Sequence, residues 1–154
     1  MINRFNNFIG QLRGKAITRR LNKNREQARL KLEANHVLWK TLTAYLSKTS
    51  STGGEYSDYL ALYDHVRLHR PKEILECGTG VSTIIMAFAL SENEKEDGIK
   101  GRITSMEDKE KWLNIAQDLL PADLAPYVDL VLSPLVEDGW FKAKQSAALY
   151  RAPW

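Results

Sequence analysis

Lys72-Glu-Ile-Leu-Glu-Cys-Gly-Thr-Gly-Val-Ser-Thr-Ile-Ile-Met-Ala-Phe-Ala-Leu90 is the stretch that decides how the chain is read. Ile74 and Leu75 open a short strand, with Glu76 at its C-terminal end. Gly78 and Gly80 then make a tight turn, and an apolar helix is expected from about Ser82 to Leu90. Strand, glycine turn and helix together form the opening unit of a doubly wound α/β sheet. The glycines let the backbone approach a ligand closely, and the helix N-terminus presents unpaired N–H groups to acceptor atoms.

The motif narrows the ligand. A dinucleotide fingerprint, G-x-G-x-x-G, wants a third glycine where this chain has Thr83, and a P-loop wants a lysine that does not follow Gly80. The residues present read Glu-x-Gly-x-Gly-x-Ser, from Glu76 to Ser82. Glu76 would repel a pyrophosphate at close range but suits a ligand bearing an ammonium group, such as the amino-acid end of S-adenosylmethionine.

Downstream, Ser91 to Gly101 (SENEKEDGIKG) reads as a polar, acidic loop. Arg102 to Glu107 alternates Ile103 and Ser105 against Thr104 and Met106, which predicts a second strand. Glu107 closes it, at the place where a doubly wound fold grips two ribose hydroxyls with a carboxylate. Glu107 lies 27 residues after Gly80; the usual spacing is about 20, and the expected loop accounts for the excess. Asp108 can cap a helix whose apolar face holds Trp112, Leu113, Ala116, Leu119 and Leu120, and Pro121 ends it. Tyr127 to Ser133 reads as a third strand, which completes a β-α-β-α-β succession.

Glu76-Cys-Gly-Thr-Gly80 followed by Ser82, with Glu107 closing the next strand, resembles the class I S-adenosylmethionine-dependent methyltransferases over about residues 55–135. The resemblance implies a Rossmann-like fold with S-adenosyl-L-methionine as cofactor. In it Gly78, Thr79, Gly80 and Ser82 would line the cofactor, Glu76 would face its methionine end and Glu107 would hold the ribose. The turn at Ser133 would lie near the adenine. It implies methyl transfer to a nucleophile by in-line displacement; the acceptor, a small molecule or a glycan, and the catalytic base are not legible.

The family sheet has seven strands in the order 3-2-1-4-5-7-6, and three are legible here. Pro134 to Trp154 shows no alternation, so the fourth strand, which pairs with the first, is missing from the reading. The first strand then keeps an open edge, to be covered by a partner chain or a second copy. The chain reads as the N-terminal part of a longer enzyme.

The remaining composition fits this picture. The 154 residues are 44% hydrophobic and 27% charged, which excludes collagen, low-complexity and disulfide-scaffold classes. The lone Cys77 forms no internal disulfide and reads as a small buried residue in a reducing compartment. The longest apolar run, Ile84 to Leu90, is far short of the roughly 20 residues that span a bilayer. A soluble, cytoplasmic protein is expected.

The net charge of +3 hides two opposite parts: residues 1–50 carry 11 basic and two acidic residues, and residues 51–154 carry 11 basic and 17 acidic. Residues 1–50 read as a basic helical arm running into a Ser/Thr/Gly linker, Ser47 to Gly54, and residues 51–154 as the first half of the sheet domain. Along the arm Phe5, Phe8, Ile9, Leu12 and Ala16 recur at helical spacing, and Leu21 to Tyr45 roughly extend the stripe. A helix over Tyr56 to Leu68 ends before Pro71, and its His65 and His69 read as a solvated helix end rather than metal ligands.

Two other functional classes stay open on these residues. One is a non-catalytic module whose basic residues 4–31 dock on nucleic acid or an anionic membrane. The other is a nicotinamide-dependent oxidoreductase, which Thr83 disfavours. About 100 residues remain for a sheet domain that in this class runs to roughly 200 or more.

Overall fold

A computed structural model describes residues 2–49, 54–134, 136–137 and 148–149. The described residues form a mixed α/β arrangement with five α-helices and a three-stranded parallel sheet. Helices α1 (Ile2–Ala34), α2 (His36–Leu46) and α3 (Tyr56–His69) come first. Strand β1 (Glu73–Cys77), helix α4 (Val81–Asp97), strand β2 (Arg102–Glu107), helix α5 (Glu110–Leu119) and strand β3 (Val128–Leu132) follow, the last entered through a 3-10 turn at Ala125–Tyr127.

The sheet order is β1-β2-β3, with Ile74 opposite Ile103 and Ile103 opposite Val128. By the two-residue period of a strand, Ile74, Ile103, Val128 and Leu130 share one face, and all four join the main core. Leu75 and Cys77 project from the other face, and Leu75 is 57% exposed. Cys77 is exposed as well, not buried as its size suggested. Among the described residues β1 has β2 as its sheet neighbour, and its other edge is unpaired.

Helix α4 is the centre of the molecule. Every residue from Thr83 to Ser91 is buried, because one side packs on the sheet and another on α3 and α2. A helix apolar around its whole circumference is stable only when covered on all sides. Ser91 to Asp97 of the expected loop is instead the last turns of this helix, which stops at Gly98 in a left-handed conformation with φ 74°, and the loop is confined to residues 98–101. Pattern reading missed this because the polar residues are held by partners distant in sequence. Glu92 accepts from Tyr63 and Asn35, Asn93 donates to the Val66 carbonyl at 2.9 Å, Arg67 and Arg70 pair with Glu96, and Tyr127 donates to Glu94. The long interval between Gly80 and Glu107 therefore comes from the length of this helix, Val81–Asp97, with a short loop before β2.

The N-terminal run is broken once. Asn35 caps α2, its side-chain oxygen accepting from the Leu38 amide at 3.1 Å, while its side-chain nitrogen donates to Glu92 at 2.9 Å. Leu32, Leu38, Leu42 and Tyr45 enter the same core as α4, whereas every residue from Ile17 to Gln27 is exposed. The packing thus divides the helical segment itself, near Ala28.

The N-cap position of helix α5 is Lys109, one residue later than expected and without a side-chain capping bond, and its Trp112 is 37% exposed. After Ser133, where no strand was expected, Val136–Glu137 (β4) pairs antiparallel with Ala148–Leu149 (β5). Two-residue ladders are too short to carry a period.

Candidate functional site

Parallel strands bring their C-terminal ends to one edge of a sheet, and here three of the candidate positions meet there. The Gly78 amide donates to the Met106 carbonyl at 2.7 Å, and the Ser133 amide donates to the Glu107 carbonyl at 2.8 Å. The turn after β1, the tip of β2 and the turn after β3 are therefore hydrogen-bonded neighbours.

Gly78 sits at φ 90°, where a side chain is strained, and a Cβ placed on it would meet nothing within 4 Å. Open space thus lies beside the turn. Glu107 is 7% exposed; its carboxylate accepts from the Thr79 amide and from the Lys109 amide, both at 3.2 Å. Each of its oxygens keeps a second lone pair. The Thr79 hydroxyl oxygen is buried and has no hydrogen-bond partner among the described residues. A native structure rarely leaves such an atom unpaired.

Glu76 is tied to the protein by three hydroxyls. Ser82 donates to one carboxylate oxygen at 2.5 Å; Thr83 and Ser105 donate to the other at 2.6 and 2.7 Å. The Thr83 hydroxyl also accepts from the Gly80 amide at 3.0 Å. One carboxylate therefore binds the first turn of α4, the glycine turn and β2 together. Of its roughly four acceptor positions, about one is left over.

Thr83 and Ser105 are the residues that sequence reasoning missed. Thr83 registered there only as a missing glycine, yet its hydroxyl does what a glycine cannot and fixes the turn. Ser105 carried a signal: a hydroxyl on the inward face of a strand needs a partner. Tyr45 of α2 is a third. Burial, and then the charge of Glu76, push its phenol above the ordinary range.

Other candidate features lie elsewhere. The His65 and His69 rings stack with centroids 4.3 Å apart on the exposed end of α3, and no group of three or more metal-ligating residues occurs among the described residues. A cleft of about 510 Å³ between α2 and the end of α5, lined by Lys40, Tyr45, Lys48 and Leu120, contains none of the strand-tip residues. No helix of the described residues is long and apolar enough to cross a membrane. The chain matches no protein-family model, and no curated protein sequence matches it.

Proposed function

We propose that the strand-tip site binds S-adenosylmethionine, and that the chain carries the cofactor-binding part of a Rossmann-like, class I-type methyltransferase. The observation that carries the reading is the hydrogen-bonded convergence of the Gly78–Gly80 turn, Glu107 and Ser133 at one end of a parallel sheet ordered 3-2-1. The open space beside Gly78 and the unpaired Thr79 hydroxyl fit a bound polar ligand at that turn.

In this reading Glu107 accepts from the ribose hydroxyls through its remaining lone pairs. Gly78 and Thr79 line the amino-acid end, and Ser133 lies beside the base. Glu76, with Ser82, holds the turn and keeps one acceptor position for the ammonium group. The bound cofactor supplies an electrophilic methyl group, and the protein contributes placement of that group against an acceptor. The acceptor, a small molecule or a glycan, docks beyond the residues described, and a cytoplasmic location follows from the same reading. The unpaired edge of β1 would be covered by a second copy or a partner chain.

Calorimetric titration with S-adenosylhomocysteine tests this, with NAD as the comparison ligand. Saturable binding of the first and none of the second is expected, and Glu107→Ala weakens it at least tenfold. Folded protein that shows no heat of binding with millimolar S-adenosylhomocysteine ends the proposal. Binding of NAD alone moves it to the oxidoreductase reading.

A further inference from the structure

From Ile17 to Gln27 every residue of helix α1 is exposed, with Ile17 and Leu21 at 60% and 61% exposure, and Ala28 is the first buried residue after them. From Ile2 to Asn24 the helix is about 35 Å long at 1.5 Å per residue, and in the part whose surroundings are described nothing covers it.

The sequence on this helix has a specific order. At about 100° per residue, Phe5, Phe8, Ile9, Leu12 and Ala16 fall within an arc of roughly 100°. Arg4 and Lys15 flank one border of that arc, Arg13 flanks the other, and Asn3, Asn6, Asn7 and Gln11 occupy the far side. One turn further on, Arg19 and Lys23 take over the same arc, with Arg20 at its border. Residues 1–25 hold seven Lys and Arg and no acidic residue.

We propose that the N-terminal part of α1 is an interfacial anchor that lies on an anionic lipid surface. The apolar arc enters the boundary between headgroups and acyl chains. The bordering Arg and Lys reach outward to phosphate and carboxylate groups, as long cationic side chains do at such boundaries. Charge and shape both choose this occupant. A nucleic acid would satisfy the cations and leave Phe5, Phe8, Ile9 and Leu12 in water. A second copy would set seven cations against seven with no acid among them. The proposal is independent of the cofactor site, which lies on other elements.

Flotation of the full chain with lipid vesicles tests it. The protein is expected to float with vesicles of phosphatidylcholine containing about 30% phosphatidylserine, and roughly tenfold less or weaker still with pure phosphatidylcholine. Phe8→Ser/Leu12→Ser leaves the charge unchanged and lowers flotation by about tenfold or more. Arg19→Glu/Arg20→Glu lowers it as well. Thermal unfolding of each variant stays at the wild-type temperature, which separates loss of the anchor from loss of the fold. Absence of flotation with the anionic vesicles overturns the proposal. So does flotation indifferent to Phe8→Ser/Leu12→Ser, or tight binding to a single-stranded RNA with no vesicle binding.

Discussion

Replacing Glu76 by alanine strands three hydroxyls at once. Thr83 and Ser105 are 2% and 0% exposed, so neither can turn to water, whereas Ser82 is partly exposed and can. An unsatisfied buried hydroxyl costs about 1–3 kcal/mol, so two of them cost about 2–6 kcal/mol. The Thr83 and Ser105 oxygens are 3.5 Å apart and can bond weakly to each other, which favours the lower half of that range. Against a typical domain stability of about 5–15 kcal/mol this is a large fraction. Glu76→Gln keeps one accepting oxygen and should cost about 1–2 kcal/mol. Urea unfolding followed by far-ultraviolet circular dichroism measures both, the m-value remaining that of the wild type. Ser105→Ala made in the Glu76→Ala background should then restore part of the loss, because it removes one of the stranded groups. A loss below about 1 kcal/mol for Glu76→Ala would refute the claim that this carboxylate ties the turn, helix and sheet together.

Four further outcomes follow from other parts of the molecule. A Cβ at Gly101 would sit 2.5 Å from Leu90 Cδ2 and 2.6 Å from the Pro71 carbonyl oxygen, so Gly101→Ala should lose about 1–3 kcal/mol by chemical denaturation. At Gly78 the space is open and only the positive φ opposes a side chain, so Gly78→Ala should cost about 1–2 kcal/mol while abolishing binding of S-adenosylhomocysteine; wild-type affinity in that variant would contradict the site. Burial, and then the bond to Glu94, push the Tyr127 phenol up to about 12 from 10, so folding favours its protonated form. The stability this contributes is intact below pH 10 and lost between pH 10 and about 12, and melting temperatures of wild type and Tyr127→Phe should converge across that window. Asn35→Ala removes the α2 cap and a donor to Glu92, a loss of about 1–2 kcal/mol readable as a lowered urea midpoint.

The sheet was legible because its signals are local. Glycines at 78 and 80, alternation over Arg102 to Glu107 and the apolar run Tyr127 to Leu132 each lie within a few residues of the structure they encode. The convergence of Gly78, Glu107 and Ser133 also followed, since parallel strands align their C-terminal ends. What escaped depends on contacts across 20 to 60 positions. The last turns of α4 look like a loop until Arg67, Arg70, Asn35 and Tyr127 are placed against them. Asn35 is a polar residue in a helical run until its side chain is seen donating to Glu92. The grip of Ser82, Thr83 and Ser105 on Glu76 joins residues up to 29 apart, and no motif records it.

Helix α4 sets a rule about which parts of this protein can exist apart. It is buried against the sheet on one side and against α2 and α3 on the other, so it belongs to both layers. Any cut that removes the helices before β1 uncovers a greasy cylinder, and any cut that removes the sheet uncovers the same cylinder from behind. The two layers are therefore not modules that could have been joined by shuffling. They must be gained, lost or transplanted together, with the exposed reach of α1 as the piece that could be exchanged without disturbing the rest.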